Sequence, residues 1–192
     1  GGEKTLTYIL ERKDKLLQEA DRLEKELFKK QIAILQDYYR KSEVQNRVRE
    51  AFAHLWQKWD RKKPAAGLGI HYLFTSIHNR TYEHRLVLFG EEFYLDEEAV
   101  EMDWKPELFF SLLEEDVEMI LKQIRGKFPR LCRYEEELIR NHCSEYYEAA
   151  VCRLCQDMLP KILESETFGN LKKTEDFFVL FGTYRGEGEI IA

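Results

Sequence analysis

The chain has 192 residues, with 30 Lys and Arg against 36 Asp and Glu, a net charge of −6 and a pI near 5.5. Hydrophobic residues make up 44% and charged residues 34%, with 4 Pro and 10 Gly, which supplies a core and excludes collagen-like or disordered composition. The length suits one domain, residues 1–192, and no apolar run approaches the roughly 20 residues that span a bilayer.

Gly1-Gly2-Glu3-Lys4 lacks the cationic and then apolar pattern of a secretory signal, and the missing initiator Met reads as a processing scar or as the edge of a longer chain. Cys132, Cys143, Cys152 and Cys155 crowd into one helical stretch instead of spreading over loops, which favours reduced thiols and a cytoplasmic setting.

Residues 3–63 contain neither Pro nor Gly and read as a helical arm. Leu6, Ile9, Leu16, Ala20, Leu23, Leu27 and Ile34 recur by threes and fours, with Leu10 and Leu17 widening the stripe and Lys13 and Lys30 interrupting it. Around Arg40–Ser42 the helix is expected to break. Ser42-Glu43-Val44-Gln45 has the form of a capping box that starts a second helix. That helix carries Val44, Val48, Ala51, Phe52, Leu55 and Trp59 on one face and stops before Pro64.

The period then changes. Residues 68–77 and 83–89 are aromatic and β-branched runs around His78-Asn79-Arg80-Thr81-Tyr82, which predicts an antiparallel hairpin, with a third short strand at 92–95. Apolar residues on both faces of these runs predict a sheet covered, at least in part, on both sides. Phe109, Leu112, Leu113, Val117, Ile120, Leu121 and Ile124 form the clearest amphipathic stripe, preceded by Pro106 and closed by Gly126. A further helix is expected from 131 to about 159, ended or kinked by Pro160, and then a strand at 176–184, a turn at 185–188 and an edge strand at 189–191. The runs Arg85–Gly90 and Phe178–Gly182 look alike, but their flanks do not match and no repeat is assigned. The fold class expected is α+β: a two-helix N-terminal arm over 3–63, and over 64–192 a body with a small, mostly antiparallel sheet and two more amphipathic helices.

Several clusters carry side chains capable of chemistry. On a helix turning about 100° per residue, Cys132 and Cys143 share a direction while Cys152 and Cys155 point about 120° to 180° away, so the four cannot converge on zinc. No metal or other cofactor is expected. If Ser76 pairs with His84, then His78 and His84 are diagonal neighbours able to share an ion, with Glu83 beside them for acid–base work. His71 falls on the other face of the hairpin. The acidic run from Glu91 to Glu107 has no calcium-loop spacing and reads as a solvated face or a dock for the basic arm. Residues 1–63 hold 16 basic and 11 acidic side chains, against 14 and 25 in the remainder. Trp56 and Trp59 lie among basic residues, but Trp59 sits on the apolar stripe and the chain is acidic overall, so nucleic acid is not the expected partner.

No hydrolase, nucleotide-binding or metalloprotease motif is present. The apolar heptads of the arm need burial, which points to an interaction or regulatory protein. Its expected mode is self-association as a homodimer through Leu6, Ile9, Leu16, Leu23, Leu27 and Ile34, and other protein partners fit the same surface. The alternative is a small-molecule or metal-dependent enzyme with a pocket between sheet and helices.

Overall fold

The computed structural model describes residues 1–60, 62–93, 97–184 and 188–192, and for Phe74 the backbone alone. The fold is α+β, with 61% of the described residues helical and 18% in strands. With no helix breaker in its way, α1 runs from Gly2 to Tyr39, and α2 follows at Ser42–Gln57. The break falls where the sequence places it, but not by the expected cap. Lys41 is the N-cap, with no side-chain bond, and the Gln45 side chain reaches back to donate to the Tyr39 carbonyl at 2.8 Å. Gln45 thus satisfies the end of the first helix and leaves the start of the second uncapped.

The remaining elements are β1 (Ala65–Tyr72), α3 (Phe74–His78), β2 (His84–Phe89), β3 (Val100–Trp104), α4 (Phe109–Lys127), α5 (Arg133–Leu163), α6 (Glu166–Gly169), β4 (Lys173–Thr183) and β5 (Gly188–Ile190). They gather into two compact units. The first comprises Gly1–Asp37 and Leu108–Ala150; the second comprises Tyr38–Glu107 and Val151–Ala192. α5 contributes its first part to one and its last turns to the other.

In the helical unit, α1 buries Leu16, Ala20 and Leu35, α4 buries Leu112, Leu113, Val117 and Ile120, and the start of α5 buries Ile139 and Cys143. α4 follows the expected stripe. Gly126 does not close it, since no glycine among the described residues takes a positive φ; the helix runs on to Lys127, and Arg130 in the following turn adopts the left-handed φ of 58°. Arg12 fastens α1 to that turn. Its guanidinium donates to both oxygens of Glu135, at 2.7 and 3.2 Å, and to the Pro129 carbonyl, and it lies over the Phe128 ring.

The second unit is built on a five-stranded sheet in the order β3-β2-β1-β4-β5. Three of its four pairings are antiparallel, and β1 with β4 is parallel. The two look-alike runs are β2 and β4, which flank β1 in opposite directions and so do not form a structural repeat. Leu68 and Ile70 of β1, Leu86 and Leu88 of β2, Val179 of β4 and Trp104 of β3 line the inner face, where Phe52 of α2 meets the Trp104 ring at 5.5 Å. On the outer face Phe93 lies over Phe89 and Phe178. Arg47 and the Tyr38 hydroxyl donate to the Glu107 carboxylate, and Lys63 pairs with Glu92, so basic residues of the second unit do meet the acidic run.

Three boundaries differ from the sequence reading. The hairpin pairs Tyr72 with His84, not Ser76, because the chain leaves β1 and makes one helical turn. The Ser76 hydroxyl stabilises that turn by donating to the Leu73 and Glu83 carbonyls. The third strand is Val100–Trp104; of the expected 92–95, Glu92 and Phe93 are in a turn and 94–95 lie outside the described residues. Pro160 lies inside α5, near its end, where the missing N–H costs a single helical bond. The expected turn at 185–188 lies outside the described residues up to 187.

Gly67 is required by packing. A Cβ there would meet the Phe89 ring at 2.8 Å and the Phe178 carbonyl oxygen at 3.0 Å, whereas at Gly126 it would meet nothing. Gly67→Ala is therefore expected to destabilise by about 1–3 kcal/mol. Gly126→Ala is expected to stabilise by about 0.5–1 kcal/mol. Urea unfolding of both variants checks the contrast, and equal effects would refute it.

Candidate functional site

The least expected chemistry lies in the helical unit. One turn beyond Ala20, on the face of α1 that packs against α4 and α5, stands Glu24, fully buried. Asp116 of α4, also fully buried, faces it; Gln31 donates to one Asp116 oxygen at 2.9 Å and the Tyr147 hydroxyl donates to the other. Neither oxygen of Glu24 completes a hydrogen bond, although the carboxyl lies beside Asp116 and the Cys143 thiol. Burial, and then the adjoining Asp116, push the Glu24 carboxyl up to about 9, so it keeps its proton at neutral pH. Burial likewise raises the Tyr147 hydroxyl and the Cys143 thiol.

Asp21, one turn earlier on α1, is driven the opposite way. It accepts from the Tyr146 hydroxyl and from His142 Nε2 at 2.9 Å, and pairs with Lys25 at 3.0 Å. The Tyr146 bond leads these in holding it well below the usual carboxylate range. Environment alone separates two carboxyls of one helix into a neutral acid and a firm anion. Phe28 packs on both tyrosine rings and closes this side of the cluster. Since Glu24 and Asp116 expose no surface, a substrate cannot touch them in the folded unit; the pair is a proton-holding polar core. Among the described residues, no three His, Cys, Asp or Glu side chains are placed to hold a metal ion.

In the sheet unit the histidines separate. His84 is buried on the inner face against the Trp104 and Phe181 rings, and His78 is exposed at the end of α3. The pairing that would make them diagonal neighbours is not formed, because Tyr72 takes the place opposite His84. The outer face carries His71, which is 3% exposed, with its ring folded over Gly69 and its Nδ1 without a partner. Burial lowers its pKa. Opposite it, Arg85 pairs with Glu101 and Asp103, and Tyr184 donates to Glu101 at 2.7 Å. Of the cysteines, Cys143 and Cys155 are buried, Cys152 is half-buried and Cys132 is exposed.

The helical seam also divides. Leu16 is buried within its own unit, and Leu23 and Leu27 are half-buried, whereas Leu6 is 59%, Ile9 52%, Leu10 51% and Ile34 48% exposed. Every residue from 1 to 11 is exposed. From Arg12 onward α1 is tied down, by Glu135, by Lys127 to Glu19 at 2.8 Å and by His142 to Asp21. A shallow hollow of about 430 Å³ along this line is bordered by Lys15, Gln18, Glu19, Arg22, Lys127 and Phe128. Glu19, held down to about 2 by Arg22 and Lys127, already pairs two of its cations.

No protein-family model, no curated protein and no solved structure matches the chain. No described helix is long and apolar enough to cross a membrane.

Sequence reasoning passed over Glu24 and Asp116, although both carry a signal. Glu24 falls on the apolar face of α1, and Asp116 fills a gap in the α4 stripe between Leu112 and Ile120. A buried acid raised from 4.5 to about 9 contributes stability that is full below about pH 4.5 and is lost as pH rises through 9. Glu24→Gln removes this dependence. The melting temperature of the variant, relative to the parent, is therefore expected to climb steadily from pH 5 to pH 9, and a constant offset would show that Glu24 is not a buried neutral acid.

Proposed function

We propose that the protein is an interaction module that self-associates, in its simplest form as a homodimer, through the bare start of α1. The observation that carries this reading is the exposure of Leu6, Ile9 and Leu10 on the same face that buries Leu16 and Ala20 further along the helix. On a helix turning about 100° per residue these side chains, with Lys13 and Leu17, fall within an arc of about 120°. Single exposed leucines are ordinary on protein surfaces. Three on one face, continuing a packed seam past the point where its covering helices turn back, form a surface that gains by being covered.

The surface is narrower than the full heptad pattern. Leu16 serves the unit's own core, and Leu23 and Leu27 are partly covered within it. Nucleic acid is not part of this reading. The Trp56 ring is engaged by Phe168 and Phe177, and the Trp59 indole donates to the Lys63 carbonyl. Both tryptophans of the arm are thus engaged within their own unit and are not offered as stacking rings.

Sedimentation velocity over a wide concentration range tests the proposal. The expected result is a mass that rises from monomer toward dimer for the wild-type chain. The double variant Leu6→Glu, Ile9→Glu should stay monomeric with an unchanged melting temperature, because neither side chain belongs to the packed core. Leu16→Glu, which places a charge at a 1% exposed position, should instead unfold the helical unit. A wild-type chain that remains monomeric throughout would end the reading.

A further inference from the structure

We infer that His71 is an acid-sensitive latch on the outer face of the sheet, held shut by Tyr184 while its ring is neutral and released when the ring takes a proton. The inference is independent of the association proposed above. It starts from strand order. β4 and β3 are separated in the sheet by β1 and β2, so the bond from the Tyr184 hydroxyl to Glu101 must cross the face over both. The Tyr184 ring makes contacts on the way: the His71 ring stands edge-on to it at 5.7 Å, and the Arg85 guanidinium lies over it at 5.4 Å. The His71 ring folds back along its own strand onto Gly69, where a Cβ would collide with it. On its β4 side the register places Gly182, with Gly188 of β5 beyond, and neither has a side chain to offer. A glycine floor and a tyrosine strap thus leave His71 only 3% exposed.

This enclosure suits a neutral imidazole and not a charged one. Nδ1 is buried without a partner, and the residue directly opposite His71 on β2 is a cation, Arg85. The charged and titratable side chains that the described residues set around the ring are Arg85 of β2, Glu101 and Asp103 of β3, and Tyr184 at the end of β4. Both carboxylates are already committed. Asp103 and Glu101 pair with Arg85 at 3.3 and 3.5 Å, and Glu101 also accepts from Tyr184. An imidazolium would bring a second N–H and a charge into this space. It must either swing out to water or draw Glu101 away from Arg85 and Tyr184, and each course undoes the strap. Burial outweighs the nearby Gly182 backbone and the Glu101 charge, and it holds the His71 pKa below the ordinary 6.5. A histidine lowered in this way leaves the closed form fully stable above about pH 6.5 and weakens it as pH falls below that value. Opening bares the Gly69 floor between Val87 and Leu180, its neighbours on β2 and β4. Acid thus exposes a strip of apolar surface that neutral pH conceals.

Nuclear magnetic resonance of the chain, labelled with isotopic histidine and with fluorotyrosine, reads both halves of the latch between pH 8 and pH 5. Histidine ring signals are assigned through their bonds to the backbone amides, and the Tyr184 fluorine signal by its loss in Tyr184→Ala. The expected result is a His71 midpoint below 6.5, with the Tyr184 signal moving at that same midpoint and staying still in His71→Gln. Tyr184 is half-buried at the end of its strand, so Tyr184→Ala removes the strap without opening the core, and its His71 midpoint should rise toward 6.5. A parent midpoint at or above 6.5 would overturn the latch, and so would a midpoint that Tyr184→Ala leaves unchanged. A Tyr184 signal that ignores the His71 titration, or that still follows pH in His71→Gln, would overturn it as well, by showing a buried histidine that holds nothing.

Discussion

One face of α1 carries contradictory demands. Over Leu16, Ala20, Glu24, Gln31 and Leu35 it is the packing surface for α4 and α5, and over Leu6, Ile9 and Leu10 it is bare. The helix is set by local propensity, an unbroken run without Gly or Pro, but its partners are shorter and turn back at Phe128–Cys132. Arg12 marks the change. Its bidentate bond to Glu135, its contact with the Pro129 carbonyl and its place over Phe128 fix where cover ends. Everything proposed about association follows from that mismatch in length.

The same face explains the buried acid. A wholly apolar seam would have served the core, yet it carries Glu24 opposite Asp116 on α4. Asp116 has donors on both oxygens, from Gln31 and Tyr147, and Glu24 is held as a neutral acid by burial and by Asp116 itself. Asp21, closer to the rim and given Tyr146, His142 and Lys25, remains an anion. Polar groups in a core penalise packings that leave them unsatisfied, so this cluster favours one register of α1 against its neighbours. The register in turn determines which residues emerge uncovered at the start of the helix.

Much of the architecture was legible in the sequence because it is local. The break between α1 and α2, the stripe of α4 and the α+β class all depend on periodicity, Pro and Gly within a few residues. What was not legible depends on distant partners. Gln45 could cap its own helix or reach back to Tyr39, and only packing decides. The parallel pairing of β1 with β4 joins residues more than a hundred positions apart. His78 and His84 looked like neighbours under a register one helical turn different from the one formed. Leu16 and Leu6 are indistinguishable by spacing, and they differ only because α4 and α5 end where they do. Glu24 and Asp116 could have been noticed as acids on apolar faces, but their meeting could not be inferred from either helix alone.

Hydrogen exchange of the chain, followed by mass spectrometry at low and at high protein concentration, compares the covered and the bare lengths of α1 directly. Amides over residues 16–35 are expected to be protected at both concentrations, whereas those over residues 5–12 exchange freely when dilute and become protected as the concentration rises. Exchange over residues 5–12 that stays fast and independent of concentration would contradict that expectation.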